Sequence, residues 1–134
     1  VEILTLLKEV QQKMNIAFLY ITHDISTAKY FSDRIAILYA GKLAEVGPYR
    51  DVVKDPAHPY TQALIEAIPD PDPSNRFHDK KVVGGEPPSL INPPRGCRFH
   101  PRCPFAMDIC RREEPPMVEV KNGIYAACWL HIKK

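Results

Sequence analysis

Apolar residues recur at Ile3, Leu7, Val10 and Met14, spaced i, i+4, i+7 and i+11, with Lys8, Gln11, Gln12 and Lys13 largely on the other side. That period predicts an amphipathic helix over residues 1 to about 14, and Asn15 suits its end. The pattern then changes. Ile16-Ala17-Phe18-Leu19-Tyr20-Ile21 is an unbroken apolar run, which predicts a short strand buried on both faces, as in a parallel sheet. A helix followed by such a strand is half of a βαβ unit. Polar side chains return together at Thr22-His23-Asp24, where Asp24 or Ser26 can cap a short helix through Phe31. Ile35–Tyr39 predicts a strand, Ala40-Gly41 a turn, and Lys42–Val46 a returning strand. Gly47-Pro48 breaks the hairpin before a turn or two of helix at Tyr49–Lys54. Pro59 suits a first helical position, with Tyr60, Leu64 and Ile68 as the apolar stripe of a helix that Pro69 ends. Asp70-Pro71-Asp72-Pro73-Ser74-Asn75 is a turn-rich linker without core-forming residues.

Composition divides the chain more sharply than the pattern does. None of the 14 prolines precedes Pro48, and all four cysteines lie at or beyond Cys97. A regular α/β portion over residues 1–47 is therefore expected, then a helical extension and linker over 48–85, then a small irregular cysteine-rich module over 86–134. With 134 residues the chain makes one domain or two small ones. The 18 basic and 16 acidic residues nearly balance, which argues against a nucleic-acid-binding field. The run from Ile16 to Ile21 is far short of a bilayer span, and Val1-Glu2-Ile3-Leu4 lacks the features of a secretory signal.

Two places carry candidate chemistry. His23 follows the apolar run, and in open α/β sheets ligands collect at the carboxyl ends of strands. Its imidazole can donate a hydrogen bond to an anion such as a phosphate, or serve as a local structural hydrogen-bonder. His58 is a cap for the following helix, a packing partner of Tyr60, or a contact residue. Cys97, Cys103, Cys110 and Cys128 are separated by five, six and seventeen residues. Disulfides suit an oxidising compartment only, and structural zinc prefers at least one tight knuckle. A bulkier 4Fe–4S cluster tolerates looser spacing, and four buried free thiols are the remaining possibility. Turn-forming Pro94, Gly96, Pro101 and Pro104 suit a wrapped metal centre. Arg95, Arg98, Arg102, Arg111 and Arg112 are placed to lower thiol pKa and offset cluster charge, or else form a solvated basic face. Phe99, Phe105 and Trp129 can shield the centre from water.

Ile21-Thr22-His23-Asp24, then Ser32-Asp33-Arg34-Ile35-Ala36-Ile37-Leu38 and Ala40-Gly41-Lys42-Leu43-Ala44-Glu45-Val46-Gly47, resembles the ATP-binding subunits of ABC transporters. Asp55-Pro56-Ala57-His58-Pro59-Tyr60-Thr61-Gln62-Ala63-Leu64 resembles the extension of the oligopeptide and dipeptide importer branch. Gly96-Cys97-Arg98-Phe99-His100-Pro101-Arg102-Cys103-Pro104-Phe105-Ala106, with Cys110 and Cys128, is similar to the same branch's C-terminal tail.

The resemblance implies the C-terminal piece of a P-loop-type nucleotide-binding domain, with His23 as the switch histidine at the γ-phosphate of ATP. It implies ATP and Mg in the intact parent, and a 4Fe–4S cluster on Cys97, Cys103, Cys110 and Cys128, with Zn as the alternative. The implied partners are transmembrane permease subunits, a second ATPase subunit and, indirectly, a peptide-binding protein, at the cytoplasmic face of the cell membrane. No nucleic acid is expected. No Gly-x-x-x-x-Gly-Lys-Ser/Thr loop and no strand-ending Asp-Glu pair occurs, so this chain alone is expected to be inactive toward ATP and to associate with its parent or with itself. Two rivals remain: a free-standing zinc module contacting nucleic acid or protein, and a cluster-based redox sensor.

Overall fold

The computed structural model describes residues 2–30, 32–68, 86 and 88–132. Helix α1 spans Glu2–Met14, and Asn15 ends it in the left-handed region at φ 49°. The short helix α2, Ile25–Ala28, is capped by Asp24, whose carboxylate accepts from the Ser26 N–H. Strand β1 covers Arg34–Tyr39 and β2 covers Lys42–Pro48. Helix α3, Tyr49–Lys54, and helix α4, Pro59–Glu66, follow. In the tail, α5 is Asp108–Arg112, β3 is Val118–Lys121 and β4 is Ile124–Ala126. Short 3-10 turns lie at His100–Arg102 and Trp129–His131. The architecture is thus a mix of helices with an antiparallel sheet. The expected linker at 70–75 and the helix stop at Pro69 fall outside the described residues.

The sheet has four strands in the order β1-β2-β4-β3, and every pairing is antiparallel. β1 forms where the apolar run predicts a strand, and its burial alternates: Ile35, Ile37 and Tyr39 turn inward, while Ala36 and Leu38 stay exposed. β2 behaves differently because it lies between two strands and under α3 and α4. Its register slips between Ile37 and Leu38, which pair with Glu45 and Leu43. Ala44 is the extra residue of this bulge. Its carbonyl is free to accept from the Ala127 N–H at 2.9 Å, which fastens the tail to β2.

Val52, Ala57, Ile124 and Ala126 form the buried apolar cluster, with Ile35 and Val120 packed against it. Gly47 is required there. A Cβ at this position would stand 3.0 Å from Val52 Cγ2 and 3.1 Å from Ile124 Cγ1. The absence of a side chain lets α3 and β4 close on β2.

Two expectations are corrected. Residues 16–21 form no strand, and Leu19 and Ile21 are 90% and 87% exposed. A strand is held by neighbouring backbone, and none of the four strands of the sheet lies beside this run. Its apolar sequence records a burial that these residues do not supply. The tail, expected to be irregular, contains the β3–β4 hairpin. Alternation at Val118-Glu119-Val120-Lys121, an Asn122-Gly123 turn and Ile124-Tyr125-Ala126 supply its hairpin signal.

Candidate functional site

His23 lies in an exposed stretch whose geometry is set by its neighbours. The Asp24 N–H donates to Thr22 Oγ1 at 3.0 Å, the Ser26 N–H donates to Asp24 Oδ1 at 2.9 Å, and Thr27 Oγ1 donates to the Asp24 carbonyl at 2.9 Å. The Ser26 hydroxyl bond holds the Asp24 carboxyl below its ordinary pKa, with its backbone partners adding to the effect. His23 is therefore presented on a turn locked at both sides, immediately ahead of α2.

The four cysteines come together. Cys97, Cys103, Cys110 and Cys128 line one small cavity, walled also by Phe99, Phe105 and Trp129. His58 and Pro59 of α4 complete the wall. All four are free thiols. The Cys97 N–H donates to the Cys110 carbonyl at 2.9 Å, joining the two loops. Gly96 permits this approach: at φ +73°, a Cβ there would meet the Cys110 carbonyl oxygen at 2.4 Å.

Burial is the first cause that raises the pKa of Cys97, Cys103 and Cys128, and proximity of the other thiols adds to it. Cys128 is pushed up to about 11. Against this, backbone N–H groups point at the sulfurs: Phe99 and His100 at Cys97, Phe105 at Cys103 and Leu130 at Cys128. The expected influence of the arginines is corrected, since none contributes to these shifts. Arg98 instead donates to the Ala40 carbonyl at the β1–β2 turn, and Arg95, Arg111 and Arg112 are exposed. Among the described residues, no group of three or more His, Cys, Asp or Glu is arranged to hold a metal ion. The arrangement is a thiol cavity, and the preformed metal centre expected from the sequence is not shown.

His58 caps α4, its Nδ1 accepting from the Tyr60 N–H at 3.0 Å. It packs on Phe99, which also meets Tyr39 and Tyr60 with ring centroids 5.1 and 5.4 Å apart. Burial lowers the His58 pKa to about 4, with the charge of nearby His131 as the second cause. Glu45 was not among the candidate site residues. This fully buried carboxylate accepts from the Ala57 and His58 N–H groups, both at 2.9 Å. It ties β2 to the entry of α4. From the tail, His131 Nε2 meets the Ala57 carbonyl at 2.9 Å.

A sheet-anchored helix bearing His-Pro-Tyr, followed by a four-thiol tail, defines a particular class. Residues 44–110, half of the chain, match the family described as oligopeptide/dipeptide transporter, C-terminal region, and the chain belongs to that family. It is 45% identical over 127 residues to a probable peptide ABC transporter ATP-binding protein of Sinorhizobium fredii, covering 95% of this chain and 36% of that relative. It is 40% identical over 129 residues to the dipeptide transport ATP-binding protein DppD of Caldanaerobacter subterraneus, covering 96% of this chain and 39% of the relative. A putative peptide import ATP-binding protein of Brucella ovis is 40% identical over 127 residues, with 95% and 40% covered. The chain thus spans about 36–40% of the length of these curated relatives. No helix among the described residues is long and apolar enough to cross a membrane.

Proposed function

We propose that this chain works as part of the ATP-hydrolysing subunit of an oligopeptide or dipeptide importer, at the cytoplasmic face of the cell membrane. Its partners there are transmembrane permease subunits and a second ATPase subunit. The observation that carries this reading is the likeness to peptide-import ATP-binding proteins over nearly the whole chain, together with His23 held on its locked turn. His23 donates a hydrogen bond to the γ-phosphoryl group of ATP and stabilises charge that builds in the transition state. In the complete subunit, His23→Ala is expected to leave ATP affinity nearly intact and cut turnover by about 100-fold or more, the usual effect of losing one transition-state donor. Unchanged turnover per subunit refutes the role.

The thiol cavity, on the same proposal, receives a 4Fe–4S cluster with a structural or regulatory role. Four thiols on turns with N–H groups aimed at sulfur suit an anionic ligand set. A cluster gives each thiolate its own iron, so it asks less convergence of the sulfurs than one zinc ion, which needs all four at about 2.3 Å. The bound cluster would supply negative charge balanced by those N–H groups and a cross-link among the tail's loops. Anaerobically purified protein is expected to hold iron and sulfide with broad visible absorbance, and Cys128→Ser to lose them. Stoichiometric zinc without iron overturns the cluster assignment.

A further inference from the structure

We propose that Tyr49 is a positioning residue for the phosphate-contacting turn of His23, acting from α3 through one hydrogen bond. The proposal rests on the reading of His23 given above. α2 has only four residues, far fewer than a helix needs to persist alone. Its local bonds, among Thr22, Asp24, Ser26 and Thr27, fix the shape of the turn but not its place relative to the sheet. Tyr49 supplies that link. Its hydroxyl donates to the Ile25 carbonyl at 3.2 Å, across 24 residues of sequence. Ile25 is two residues beyond His23.

Tyr49 is itself firmly held. It is 8% exposed and opens α3 directly after Pro48, at φ −58°. Its N–H donates to the Asp33 carbonyl at 3.0 Å, ahead of β1. Burial raises the Tyr49 pKa, and the Asp24 carboxylate raises it further, which places the phenol beside both the cap of α2 and its first carbonyl. One rigid ring therefore joins the start of β1, the start of α3 and the start of α2. Ala28 is buried on α2, but a buried methyl group gives no directional constraint. A hydrogen bond is what fixes rotation of the turn, and so the direction in which His23 points.

The test is kinetic, in the complete subunit. Tyr49→Phe removes the hydroxyl and keeps the ring. It is expected to lower kcat for ATP hydrolysis about 3- to 10-fold, the rate equivalent of one net neutral hydrogen bond. ATP affinity should stay within about twofold and Tm nearly unchanged. In a His23→Ala background the same substitution should cost nothing more, since Tyr49 acts through His23. Full additivity in the double variant overturns the proposal, as does a kcat equal to the parent's. A joint loss of ATP affinity and Tm marks a structural role alone and also overturns it. If His23→Ala leaves turnover intact, the reading of His23 falls and the proposal with it. If His23→Ala abolishes turnover while Tyr49→Phe is silent, only the proposal falls.

Discussion

Replacing Glu45 by Ala removes a carboxylate that is 0% exposed and accepts two buried N–H groups, Ala57 and His58, at 2.9 Å each. No water can replace it without opening the core. Each abandoned buried donor costs about 1–3 kcal/mol, and the lost bonds are charge-assisted, roughly twice as strong as neutral ones. Partial relaxation trims the sum, so a loss of about 3–5 kcal/mol is expected. That is a large share of a domain's total stability, about 5–15 kcal/mol. Glu45→Gln keeps one acceptor oxygen but turns an NH2 toward the second donor, and should cost about 1–3 kcal/mol. The internal comparison is Glu119, whose Oε1 accepts from the Gly123 N–H at 3.0 Å in an exposed setting. Water can take over there, and Glu119→Ala should cost under about 1 kcal/mol. Urea unfolding of the full chain at constant pH, with m-values checked for constancy, measures all three. If Glu45→Ala and Glu119→Ala lie within about 1 kcal/mol of each other, burial is not what makes the Glu45 contact strong.

His58 has its pKa depressed from 6.5 to about 4, so the folded state binds its proton less readily than the unfolded chain. Its contribution is fully present above pH 6.5 and is lost as pH falls toward 4, by about 3 kcal/mol in all. Unfolding free energies across that window should show the slope, and His58→Asn, which keeps an acceptor at the cap, should flatten it. Gly96→Ala would set a Cβ against the Cys110 carbonyl oxygen, 2.4 Å away at positive φ, and should break the Cys97–Cys110 backbone bond. Faster reaction of the four thiols with a thiol reagent is the expected result, and unchanged reactivity refutes the claim.

The elements legible in the sequence are those whose causes are local. α1 follows from its period, α4 from Pro59 at its first turn with His58 capping, and β1 from the apolar run Ile35–Tyr39. The four cysteines line one cavity, while the metal centre that the resemblance implied on them is not shown. Ile16–Ile21 reads as a strand only if partners cover it, and a hydrophobic run cannot state where its partners are. Glu45 was illegible for the opposite reason. A single acidic residue in a strand ordinarily faces water, and its burial follows from α4 entering the sheet at that point, a meeting of segments 12 residues apart. Charge composition does not fix direction: Arg98 donates to the Ala40 carbonyl at the β1–β2 turn.

The pairing of β4 with β2 joins segments about 80 residues apart, and closing such a loop costs on the order of 4 kcal/mol. The ladder itself is short, with Glu45 opposite Ala126 and Val46 opposite Tyr125. Exposed ion pairs between the two halves, Lys42 with Glu114 and Lys121 with Asp55, contribute little in water. Burial has to supply the rest. Val52 from α3 and Ile124 from β4, at 0% and 3% exposure, stabilise by about 1.5–3 kcal/mol each, which matches the closure cost before Ala57 and Ala126 are added. The thiol cavity inherits this dependence. His58 and Pro59 form one wall of it and the cysteine loops the other, so the cavity exists only while α4 and the tail share a core. Glu45, by holding the entry of α4 against β2, sets where that first wall stands. A ligand bound by the four thiols therefore stabilises the docking of the tail as a whole, and docking favours ligand retention by the same coupling free energy.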